Sequence, residues 1–115
     1  MHLQRQRYIL FEFLTFNSLS PITEKEIIKS IWSSMILLFG EYNSYFSGLW
    51  MIKYDIQKKW GIIRCNNKTK EKVISALALI TQIKGIPVIF HTIKTSGTIK
   101  KILQVQREYF LKNRT

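Results

Sequence analysis

Residues 7–14 read Arg-Tyr-Ile-Leu-Phe-Glu-Phe-Leu (RYILFEFL). In an extended chain Ile9, Phe11 and Phe13 fall on one side and Tyr8, Leu10 and Glu12 on the other, so both sides of this β-branched and aromatic run are largely apolar. It reads as a central strand. After a turn-like Asn17–Pro21, Thr23 and Glu26 have capping-box spacing, and Ile22 and Ile27 stand where a hydrophobic staple would. A helix is therefore expected from about Glu24 to Phe39, with Ile27, Ile28, Ile31, Trp32, Met35, Leu38 and Phe39 on one stripe and Gly40 ending it in the left-handed conformation. Leu49–Tyr54 and Trp60–Cys65 are two further strand-like runs, paired antiparallel around the polar connection Asp55–Lys59. Helical spacing of Val73, Ala76, Leu77, Ile80 and Ile83 predicts a second helix from Thr69 to Lys84, stopped by Gly85. Pro87 then opens a strand over Val88–Lys94. From Thr98 to Lys112, Ile99, Ile102, Leu103, Tyr109 and Phe110 oppose Lys100, Gln104 and Arg107, as in an amphipathic helix.

The order β-α-β-β-α-β predicts an α+β, ferredoxin-like (RRM-like) sandwich: a four-stranded antiparallel sheet with an extra C-terminal helix. Residues 1–115 form one domain, with the core at about 7–94 and the basic amphipathic helix at about 98–112. The apolar second face of the sheet needs a cover, either that helix or a protein partner. Tyr8, Leu10, Trp50 and Tyr54 are the residues expected on a partner-binding face.

Charge is distributed unevenly along the chain. Residues 1–52 carry Arg5, Arg7, Lys25 and Lys29 against Glu12, Glu24, Glu26 and Glu41. From Lys53 onward fourteen Lys and Arg face only Asp55, Glu71 and Glu108, which supplies the whole net charge of +11. Such a surplus repels itself unless a polyanion supplies the counter-charge, and nucleic acid is the obvious one. The 115 residues, 46% apolar, can bury a single core without disulfides or metal. One cysteine (Cys65) with two distant histidines (His2, His91) builds neither a disulfide nor a structural zinc site. Apolar runs such as Met35–Phe39 and Leu49–Ile52 are far shorter than the roughly 20 residues that span a bilayer. The expectation is a soluble, cytoplasmic protein with no membrane contact and no cofactor of its own.

The most chemically suggestive local feature is Ser96-Gly97-Thr98-Ile99-Lys100-Lys101, between the last strand and the last helix. Gly97 allows a turn with positive φ, Ser96 or Thr98 can cap the helix, and the first-turn amides with Lys100 and Lys101 could then serve as donors to a phosphate. An ordinary helix start with solvated lysines has the same local pattern, although lysines at a helix N-terminus oppose its dipole and an anion there would relieve the conflict. Arg64, Lys94 and Lys53, at strand positions, are further phosphate candidates. Lys68, Lys70 and Lys72 read equally as solubilising helix charges. RNA-recognition domains stack bases on paired aromatics of the third strand, and Lys59-Trp60-Gly61-Ile62-Ile63-Arg64-Cys65 lacks that pair. Trp50, Tyr54 and Trp60 therefore read as packing or partner residues, and phosphate and shape contacts to structured RNA are expected instead of base stacking. No carboxylate pair, nor any Cys-His pair, stands where catalysis needs one. Acylphosphatase, a small enzyme of this architecture, depends on a glycine- and arginine-rich loop after its first strand, where Thr15–Ile22 has neither residue.

The combination RYILFE at Arg7–Glu12, FGE at Phe39–Glu41, GIIRC at Gly61–Cys65, ALALI-x-x-I-x-G at Ala76–Gly85 and SGTIKK at Ser96–Lys101 resembles the ribonuclease P protein component 2 family over about Arg7 to Leu103. That resemblance implies a ferredoxin-like, non-catalytic subunit of the ribonucleoprotein that removes the 5′ leader from precursor tRNA. The RNA subunit, with its Mg2+ ions, would perform the hydrolysis. The implied partners are ribonuclease P RNA, a second, barrel-shaped protein subunit (component 3) and, through the complex, precursor tRNA. The RNA contacts would fall to Ser96, Gly97, Thr98, Lys100, Lys101, Arg64, Lys94 and Lys53. The competing reading is a ferredoxin-like protein-interaction module with no RNA contact of its own.

Overall fold

The structure, a computed structural model, describes residues 5–16, 20–45 and 47–112. Its elements are β1 (Gln6–Thr15), α1 (Glu24–Tyr45), β2 (Trp50–Asp55), β3 (Trp60–Asn66), α2 (Lys70–Ala78), β4 (Gln82–Ile83), β5 (Ile86–Ser96) and α3 (Ile99–Lys112). The strands form one antiparallel sheet in the order β2-β3-β1-β5-β4, so the RYILFEFL run does lie in the middle. Residues 17–19 of the expected turn lie outside the described residues.

The sheet has five strands, which corrects the expectation of four. Lys84 (φ 53°) and Gly85 (φ 77°) are consecutive residues of positive φ, and Ile83 pairs with Ile86 across them. That is a two-residue hairpin turn of type I′ rather than the C-terminal cap of a helix. α2 accordingly stops at Ala78, and Ile80 and Ile83, which supplied the helical period, reach the core from the chain that follows it. The start of α1 is as expected: Glu26 Oε1 accepts from the Thr23 amide at 2.9 Å and Thr23 Oγ1 from the Glu26 amide at 3.3 Å, with Ile22 and Ile27 both buried. Its end is not. Gly40 sits at φ 83°, ψ 162°, a conformation open essentially to glycine, but the helix resumes beyond this kink to Tyr45.

Ile9, Phe11 and Phe13 of β1 face α1 and α2, packing with Ile27, Ile31, Met35, Val73, Ala76 and Leu77. On the opposite face α3 supplies the cover. Ile102, fully buried, packs with Leu10, Trp60 and Ile62, and the Phe110 ring lies 5.7 Å from that of Trp60. The choice the sequence left open, helix or partner, is thus resolved for the centre of this face in favour of the helix.

Candidate nucleic-acid interface

Strand register determines which side chains share the α3 face. Across β2, β3, β1 and β5, Trp50–Arg64–Tyr8–Ser96 form one transverse row and Lys53–Ile62–Leu10–Lys94 the next. Directly opposed residues in such rows have Cβ atoms about 5 Å apart. A third row, Asp55–Trp60–Glu12–His91, follows toward the far end.

Two β-bulges put the lysines into the second row. Met51 opposes Ile63 and Lys53 opposes Ile62, so Ile52 is an extra residue; Leu10 opposes Lys94 and Phe11 opposes Thr92, so Ile93 is another. Strict alternation from Trp50 would turn Lys53 toward α1 and α2, and strict alternation from Phe90 would do the same to Lys94. Each bulge reverses that, leaving both lysines exposed on the α3 face. The same inversion separates the four residues expected on a partner face. Tyr54 is turned to the α1–α2 side, where it stacks on Phe13 (6.2 Å, 3° between planes) and its hydroxyl donates to the Ile22 carbonyl at 2.5 Å. Burial raises the pKa of that hydroxyl. Leu10 is wholly covered by α3, Tyr8 is half-buried beside it, and Trp50 alone of the four stands open at 62% exposure.

At the strand–helix junction Ser96 Oγ accepts from the Thr98 amide at 3.2 Å, and Thr98 Oγ1 accepts from the Lys101 amide at 3.2 Å. Thr98 is therefore the N-cap, and Ile102 N bonds to its carbonyl at 3.3 Å. Among the described residues the first-turn amides of Ile99 and Lys100 have no acceptor. Gly97 does not use the positive φ open to it, and the Ser96 hydroxyl closes the turn instead. Its lack of a side chain serves another purpose: a Cβ there would stand 3.1 Å from Arg7 Nη1. Arg7 thereby joins the junction, a contact that no local pattern signals. Lys100 and Lys101 are exposed, with no acidic residue in the first turn of α3.

The charged neighbourhood differs elsewhere. Lys70 lies 3.6 Å from Glu71, and Lys72 Nζ sits 5.4 Å from the centre of the Phe39 ring, so two of the α2 lysines have partners of their own. In the third row Glu12 Oε1 accepts from the Tyr109 hydroxyl at 2.7 Å and lies 3.2 Å from His91 Nδ1. Burial pushes the Cys65 thiol up to about 11, which keeps it protonated and unreactive at neutral pH. Among the described residues no three of His, Cys, Asp and Glu come together as metal ligands, and no helix is long and apolar enough to cross a membrane.

The arrangement has relatives. Residues 7–106 match the model of the Rpp14/Pop5 family. Ribonuclease P protein component 2 of Thermococcus kodakarensis is 35% identical over 98 residues, covering 85% of this chain and 79% of the relative. The protein of the same name from Archaeoglobus fulgidus is 36% identical over 97 residues, covering 84% of each. A chain in the cryo-EM structure of yeast ribonuclease MRP superposes with a TM-score of 0.65 over 94% of this chain and 95% of that one, at 12% identity, a likeness of fold. With the family model matched over most of its length and component 2 proteins more than 30% identical to it, the chain belongs to the Rpp14/Pop5 family.

Proposed function

We propose that the chain is a protein subunit of ribonuclease P that binds the catalytic domain of the RNA subunit and steadies its compact form, supporting 5′-leader removal from precursor tRNA. The observation that carries this is the convergence of Lys53, Arg64, Lys94 and Ser96 on one sheet face beside Lys100 and Lys101, in a chain of this family. Folding a catalytic RNA crowds phosphates together. A surface that neutralises several of them shifts the equilibrium toward the folded RNA and lowers the magnesium it requires. In this reading the magnesium ions sit on the RNA and the chain breaks no bond.

The second protein subunit, the barrel-shaped component 3, is assigned the opposite side. On the outer surface of the helix layer Leu37 is 86% exposed, and with Leu79 it lines a groove between α1 and the α2–β4 turn. Apolar side chains so exposed suit a protein contact better than an RNA one.

Reconstitution of precursor-tRNA cleavage at limiting magnesium tests the RNA reading. The native chain should lower the magnesium midpoint and Lys100→Ala/Lys101→Ala should raise it again. An identical magnesium titration with and without the native chain would remove the proposal. Cleavage by the chain without any RNA subunit would contradict its non-catalytic role.

A further inference from the structure

The open corner of the α3 face is the feature that phosphate neutralisation leaves unexplained. α3 leaves the sheet at Ser96, crosses Leu10 and Ile62, and ends over Trp60 and Glu12. That diagonal leaves the β2 end of the first row uncovered. Trp50 stands there on an edge strand, where natural sheets favour lysine, proline or a covering element over a large exposed ring. Directly opposite it, Arg64 is half-buried. Its Nε is shielded from solvent yet has no acceptor among the described residues, and covered donors are nearly always paired. Lys53 follows on the same edge and the same face.

We infer that this corner holds one unpaired nucleotide of the bound RNA, the base stacked on the Trp50 indole and the adjacent phosphate on the Arg64 guanidinium. This rests on the RNA-binding reading above and adds to it the state of the RNA that is bound. An exposed indole on the residue paired with an arginine whose Nε has no acceptor among the described residues offers the two contacts a nucleotide needs: a π-face for the base and a planar donor fork for the phosphate. A base inside a helix already has neighbours on both faces, so only one that is single-stranded or splayed out can use the indole. The sequence reading of the third strand expected no base stacking across the sheet, and this proposal departs from it. Trp60 is buried under Phe110, and the exposed aromatic comes from β2 instead.

Binding of the full chain to two probes, a short single-stranded oligouridylate and a blunt RNA duplex of equal length, tests this. Trp50→Ala should weaken the single strand about tenfold or more and leave both the duplex and the salt slope unchanged. Trp50→Phe, which keeps a ring, should retain most of the affinity, and thermal unfolding should confirm that both variants fold like the native chain. Lys100→Ala/Lys101→Ala should weaken both probes. If Trp50→Ala leaves single-strand binding intact while the lysine variant loses affinity, RNA binding stands and the nucleotide site is overturned. Equal losses on both probes, or a loss confined to complexes with the second protein subunit, overturn it as well. A native chain that binds neither probe brings down the RNA reading and this site with it.

Discussion

Replacing Lys100 and Lys101 by alanine should change the salt dependence of RNA binding by an amount that the structure sets. Five of the chain's cations stand in the first two rows or on the first turn of α3: Lys53, Arg64, Lys94, Lys100 and Lys101. Each phosphate contact contributes about −0.9 to the slope of log K against log salt on a duplex, so five give about −4.5. Between 50 and 200 mM salt, a fourfold change, affinity should then fall about 500-fold. With three cations left the slope becomes about −2.7 and the loss about 40-fold over the same range. Both lysines are exposed on the first turn of α3 and neither has an acidic neighbour in that turn, so folding should be unaffected. The assay is a filter-binding or fluorescence titration with ribonuclease P RNA at four or five salt concentrations, native against double variant. Parallel lines in the log–log plot would refute the reasoning, because contacts that release no counterions are not phosphate contacts.

Three further perturbations probe what holds this surface in place. Ile102→Ala removes the one fully buried side chain of α3 and should cost about 2–5 kcal/mol in urea unfolding, with loss of amide protection in α3; a cost under about 1 kcal/mol would mean the helix is not docked. Gly61→Ala places a Cβ 2.6 Å from Phe11 Cζ, against a buried ring that packs on Phe90, and should cost about 1–3 kcal/mol, partly recovered in the Gly61→Ala/Phe11→Leu pair; additive costs in that pair would show the clash is not the cause. The Glu26 carboxyl is held at about 2 instead of 4.5, chiefly by its hydrogen bond from Lys84 and then by the Thr23 amide. The native state therefore binds fewer protons than the unfolded one between those values, so this contribution is present above pH 4.5 and lost as pH falls toward 2. Lys84→Gln should flatten that part of the stability–pH curve, and an unchanged acid limb would show that the contact does not hold in solution.

What could be read from sequence and what could not divides along local and non-local lines. The capping box of Thr23 and Glu26 and the strand over RYILFEFL each rest on residues close together in the chain, and each forms as read, with the staple residues Ile22 and Ile27 both buried. Lys84-Gly85 misleads because a helix end and a type I′ hairpin both want positive φ, and only the pairing of Ile83 with Ile86 distinguishes them. The two bulges leave no signature in the residues that form them. Ile52 and Ile93 look like ordinary strand positions, and their doubling is decided by the neighbouring strand. Alternation therefore assigned Tyr54 to the face of Trp50 and could not show that Lys53 and Lys94 share the face of Arg64. The exposure of Trp50 likewise depends on the path of α3, fixed by contacts more than forty positions away.

The charge division along the chain becomes a division in space through strand order. β1, from the neutral half, occupies the middle of the sheet, while β2, β3, β5 and α3, drawn almost wholly from the basic half, surround it on the α3 face. β1 adds only Tyr8, Leu10 and Glu12 to the three rows, so Lys53, Arg64, Lys94, Lys100 and Lys101 share one surface, while Lys70 and Lys72 of α2 and Lys84 of the β4–β5 turn lie away from it. The surplus is also graded. Arg64, Lys53 and Lys94 occupy the first two rows, and Asp55 and Glu12 the third, where Tyr109 ties Glu12 to the end of α3. The tight placement of α3 then has a second consequence beyond burying Leu10 and Ile62: the same helix that seals the apolar centre sets Lys100 and Lys101 beside the first row, and its Tyr109 holds Glu12 in the third. Undocking it should therefore separate Lys100 and Lys101 from the sheet-face cations as well as cost stability.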